Sequence, residues 1–201
     1  MNKRNITLGQ FTAAFVPFGL LFTAALVGAE TSLDLPHERM VYSVWATMPP
    51  MIVALCLFIL PSRSHARKNV WLLFWTFAFL LYMVHFYYAV MVHYHASISE
   101  VFHEQGAKIA GSNFLDTIWW GVDVILAWIV QRDLKWIRVE RLLLNIYLPL
   151  TFFVASVVIF KGFVNLLGYM MTAAIVICLL VRLRAWWMAR HPANALEPQH
   201  G

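Results

Sequence analysis

The sequence predicts an all-α integral membrane protein, six transmembrane helices in one bundle with the N-terminus and C-terminus cytoplasmic. Three observations carry that reading. Hydrophobic residues make up 61% of the 201 and charged ones 12%, with a mean hydropathy of +0.68, which excludes an ordinary soluble domain and a solvated disordered chain alike. Six apolar segments, 11–29, 40–60, 70–92, 114–130, 142–160 and 163–181, approach the roughly 20 residues that cross a bilayer as a helix. Lys and Arg alternate between connectors. Lys3, Arg4, Arg63, Arg67, Lys68, Arg132, Lys135, Arg138, Arg141, Arg182, Arg184 and Arg190 fall on one side, and only Arg39, Lys108 and Lys161 on the other. That asymmetry keeps basic loops in the cytoplasm, so residues 1–201 read as a single transmembrane domain.

Taken in order, the first segment follows Lys3 and Arg4 and is longer than the apolar core of a signal peptide, so a retained helix is expected. Pro49 and Pro50 interrupt the second segment and Pro149 the fifth. They predict kinks, and their similar placement gives a faint match between two three-helix halves, the pattern of an inverted repeat. Cys56 and Cys178 stand alone in apolar runs and read as packing residues. The stretch 131–141, QRDLKWIRVER, reads as a basic surface helix on anionic lipid, and Lys161 as a snorkelling turn residue. The net charge of +5 is thus a topology and headgroup signal, and no nucleic-acid partner is expected.

The outer side gathers Glu30, Asp34, His37, Glu38, His93, His95, Glu100, His103, Glu104 and Asp116, while His65, His191 and His200 fall on the inner side or the tail. Imidazoles beside carboxylates suit a transition metal such as Cu, Fe or Zn, with His93, His95, Glu100, His103 and Glu104 as the candidate ligands. Their connector, between the third and fourth helices, carries Ile98, Val101, Phe102 and Ile109 at helical spacing, and Ser97 with Glu100 as a capping box. A short amphipathic helix ending near Gly106 is expected there. Haem within the bundle would need two histidines at matched depth, and only His85 lies well inside a helix, so a surface metal fits better.

Asp123 sits in the apolar run WWGVDVILAW, about 13 Å below residue 114 by helical rise. A carboxylate at that depth must face protein or water. Asn113, Asp116, Trp120 and Asp123 advance by threes and fours, so they form one stripe. His85 lies about 10 Å from the outer end of its helix, with Tyr82 and Tyr88 on the same face. The expectation is an outward-facing cavity in which His85 meets Asp123, lined by Tyr82, Tyr88, Trp119, Trp120 and Asp116, with Asn165, Thr151 and Ser156 as further lining.

Three function classes use these features. The first is a binding or transport module, or complex subunit, built on the outward cavity. A chain of 201 residues is small for a complete transporter, which points to a homo-oligomer or a larger membrane complex in the bilayer. The second is a redox or metal-binding subunit using the outer histidines, for electron transfer or metal-dependent oxidation. The third is a structural subunit that packs against larger partners or binds lipid or pigment. An independent enzyme is least supported, since no GxSxG, phosphate loop or paired metal motif occurs. The natural setting for such a chain is a bacterial inner membrane.

Overall fold

The computed structural model describes residues 4–61, 64–130, 132, 134–159 and 161–190. Among them are six long helices and no strand: α1 (Leu8–Ala29), α2 (Leu35–Ile59), α3 (His65–Tyr87), α4 (Ile98–Ile129), α5 (Lys135–Phe153) and α6 (Phe163–Arg190). α3 runs on into a π-helical turn, Tyr88–His93, and α5 into another, Val154–Ile159. Lys3, Arg63, His191 and His200, counted above on the inner side, lie outside the described residues, as do Gln131, Asp133 and Phe160. Five helices are long and apolar enough to cross a membrane. α4 is long enough, but Asn113, Asp116 and Asp123 lower its hydropathy, so five to six spans fit a multi-pass membrane protein.

Local chemistry sets the boundaries. Thr7 opens α1 with a capping box: its Oγ1 accepts from Gln10 N at 3.3 Å, and Gln10 Oε1 accepts from Thr7 N at 3.1 Å. Asp34 caps α2 through His37 N, with Pro36 in the first turn. Pro61 follows its last residues. Ser97 caps α4, its Oγ accepting from Glu100 N at 3.2 Å, and Gly106 at φ 76° breaks the helix before it continues inward. The short helix expected in the outer connector is therefore the first part of α4. Another expectation fails: the basic stretch after residue 131 is no separate surface helix, because from Lys135 onward it is the first part of α5.

The core centres on α2. Met48, Met51, Ala54 and Leu55 pack with Trp75 and Ala78 of α3, Trp120 and Val124 of α4, Leu144 and Leu148 of α5, and Leu167 and Met171 of α6. α1 lies outside this cluster and packs on α2 and α3 through Ala14, Ala25 and Ala29. Small residues let backbones approach where lipid offers no hydrophobic drive. At Gly28 a Cβ would stand 2.9 Å from the Tyr42 ring.

Hydrogen bonds tie the basic ends together. Arg4 Nη1 donates to Ala127 O at 2.9 Å, Asn69 Nδ2 to Asn5 O at 2.8 Å, and Arg182 Nη1 to Ile59 O at 3.2 Å. The starts of α1 and α3 thus meet the ends of α2, α4 and α6. At the other end Arg39 pairs with Glu30, and the rings of His37 and His93 lie 5.6 Å apart.

Candidate functional site

Asp123 is fully buried at 0% exposure, yet both its oxygens are engaged. Oδ1 accepts from Arg141 Nε at 2.9 Å and Oδ2 from Trp75 Nε1 at 2.7 Å. The guanidinium carbon of Arg141 lies 4.9 Å from the centre of the Trp71 ring, which faces its charge with π density. Arg4 stands at the same end, where burial and the positive charge of Arg141 lower its pKa from the usual arginine value. The pair joins α4 to α5 within the apolar bundle, and Trp75 adds α3.

The expected meeting of His85 and Asp123 does not occur. His85 Nδ1 lies 2.9 Å from Met40 O, and because a carbonyl only accepts, the ring carries its proton there. Asp123 is held at the level of Trp75, ten positions or about 15 Å along α3 from His85. The depth argument failed because α4 begins at Ile98 rather than 114, and Asp123 lies six residues before its last, Ile129, toward the basic end. Tyr82 and Trp120 do come together, with ring centres 5.6 Å apart, and link His85 at 5.8 Å to Trp75 at 4.9 Å. Tyr88 does not join them, since its ring faces Arg39 at 5.8 Å. Trp119 faces α5, where Nε1 donates to Glu140 Oε1 at 2.7 Å and the ring stacks on Tyr147.

Asp116 is buried at 2% exposure, and its Oδ1 has no hydrogen-bond partner. One turn on, Trp120 Nε1 is likewise buried and unpartnered. Around Asp116, Tyr82 OH and Thr117 Oγ1 both donate to Asn113 O, at 3.3 and 2.7 Å, and Ser112 and Tyr147 share a hydrogen bond of 3.0 Å. Toward the end away from the basic connectors, Asn113 Nδ2 donates to Gln105 Oε1 at 3.0 Å, and Gln105 Nε2 to Tyr94 OH at 3.3 Å. A polar seam therefore follows α4 from Tyr94 past Asp116 to Asp123 and Glu140.

No family model matches this chain, and neither does a curated protein or a solved structure. Its own geometry must carry the functional reading.

That geometry corrects the expected metal centre. Among the described residues no three of His, Cys, Asp and Glu come close enough to hold an ion. His95 sits at φ 49° in the turn before α4, exposed, while Glu100, His103 and Glu104 lie on the exposed face of the capped helix. His93 packs on Tyr94 with ring centres 4.8 Å apart. The turn and the cap separate what the sequence spacing suggested could converge. Ser156 and Asn165 belong elsewhere too: Asn165 Nδ2 donates to Ser156 O and Val157 O at 3.2 Å, satisfying carbonyls in the second π turn. Sequence reasoning missed Arg141, Glu140 and Trp75. A signal existed, because Arg141 falls on the helical stripe of Ile137, Leu144 and Leu148, all buried.

Proposed function

We propose that this chain is a membrane binding and transport module, or the solute-binding subunit of a larger membrane complex, whose site is the polar seam of α3, α4 and α5. The observation that carries the reading is the Asp123–Arg141 pair, because breaking such a buried pair is expensive and an apolar pair of similar size would hold the helices without it. Buried groups with unused capacity, Asp116 Oδ1, Trp120 Nε1 and Arg141 Nη2, flank the pair along the seam. Asp123 lies six residues before the last residue of α4, nearer the basic end than the depth expected from the sequence. Two surface grooves, one along α1 lined by Phe15, Gly19 and Thr23 and one beside Phe11 and Trp128, contain none of the expected cavity residues.

In this reading the six helices cross the bilayer with the basic connectors cytoplasmic, in a bacterial inner membrane, as a homo-oligomer or with partner subunits and without nucleic acid. The test uses the full chain in lipid vesicles, screened with labelled small solutes, inorganic ions and pH dyes. Wild type is expected to show saturable binding or flux, and Asp123→Asn to reduce it about tenfold or more while still folding. Equal flux from the variant, or none of any kind from wild type, overturns the reading.

A further inference from the structure

Asp116 and Asp123 are both buried carboxyls on α4, yet only one has a cation. The cation of the seam, Arg141, is bound to Asp123. The side chains from other helices that act on Asp116 are neutral: Tyr82 from α3 and Thr151 from α5. An ionised carboxylate without a partner costs several kcal/mol inside a membrane bundle, so the resting form of Asp116 is the neutral acid. The Thr151 hydroxyl, which lies 2.8 Å from Leu148 O, is also within hydrogen-bond reach of the Asp116 carboxyl and brings no charge to it.

Hydrogen-bonding groups lie on either side of this acid along the seam. Outward run the Tyr82 hydroxyl, Asn113, Gln105 and Tyr94. Inward, past Trp120, lie Asp123 and the half-buried Glu140, whose Oε2 is unpartnered. A buried neutral acid with one oxygen unpartnered, and polar groups on either side of it along the seam, is a site at which a proton can be bound and released. It binds a proton from one side as a carboxylic acid and returns it to the other as a transient carboxylate, with no other bond made or broken.

We propose that the solute of the seam is the proton, and that Asp116 is its binding station midway along α4. The proposal rests on the binding-and-transport reading and narrows it to one ion. The full chain is reconstituted in vesicles holding a pH dye, and a potassium diffusion potential drives proton entry. Wild type is expected to acidify the lumen well above protein-free vesicles, Asp116→Asn to lower that rate at least about tenfold, and Asp116→Glu to restore part of it. Because asparagine mimics a neutral acid, D116N is expected to keep the wild-type thermal transition. Infrared spectra of the same samples are expected to show a protonated carboxylic-acid band that D116N removes. Proton entry no faster than in empty vesicles, entry unchanged in D116N, or absence of that band from wild type each overturns the proposal. Saturable flux of another solute without proton flux defeats the proton assignment and leaves the transport reading standing, whereas flux of nothing defeats both.

Discussion

The two sides of α3 hold their neighbours by different means. Phe77 faces α1, where its ring centre lies 5.9 Å from Phe11, 5.8 Å from Phe15 and 4.8 Å from Phe18. Trp75, two positions away and so on nearly the opposite side, faces α4 and gives its N–H to Asp123. Along Phe11–Phe18 the α1 contact is shape, with hydrogen bonds only at its basic end, where Asn69 donates to Asn5 O and Gln10 Oε1; lipid tails are as apolar as phenylalanine, so nothing is gained by leaving them except closer packing. The α4 and α5 contact is chemical, held by named bonds such as Arg141 and Trp75 to Asp123 and Trp119 to Glu140. Shape tolerates gradual change; pairing does not.

The strongest challenge to that contrast is Arg141→Ala. It leaves Asp123 buried without its cation, and a loss of about 3–5 kcal/mol is expected by denaturant unfolding in detergent. Asp123→Asn combined with Arg141→Ala should recover much of the loss, because the fully buried carboxylate is gone and only the half-buried Glu140 remains. A smaller effect is expected from Gly168→Ala in α6, where a Cβ would come 2.3 Å from Ser156 Oγ and 2.7 Å from Val157 Cγ2. The second π turn must shift to admit it, at about 1–3 kcal/mol in the same measurement. The smallest is Trp128→Phe, which removes one hydrogen bond of 3.0 Å to Thr76 Oγ1, worth about 0.6 kcal/mol in a membrane bundle. Should R141A unfold as easily as W128F, the polar side of α3 is held by shape as well, and the contrast disappears.

The all-helical class, with several apolar helices of membrane length, and the short helix after Ser97 were legible because hydropathy and capping are local properties, written within a few residues of where they act. So was the burial of Asp123, an acid inside an apolar run. Its partner was not. Arg141 sits in a basic stretch whose composition resembles a surface segment, and whether it turns inward depends on where α5 begins, which Lys135 and Leu134 do not announce with a cap. The depth of Asp123 was misjudged for a related reason: a polar, glycine-containing helix start such as Ile98–Gly106 hides from a hydropathy count. The metal set failed because spacing along a chain says which side chains share a helix face, and the left-handed residues His95 and Ala96 turn the chain between His93 and Glu100.

The ion pair also has a consequence for how the protein is made. Asp123 leaves the ribosome 18 residues before Arg141, an interval of about one to four seconds at 5–20 residues per second. During it α4 holds two buried acids, Asp116 and Asp123, and lacks the base that neutralises one of them, so lipid is a poor solvent for it alone. If α4 crosses the bilayer, its entry is expected to wait for α5, the two inserting as a hairpin. Their bond sets an order of assembly as well as a final position: a nascent chain stopped before Arg141 would hold α4 at the insertion machinery, while one extended beyond it would release both helices together.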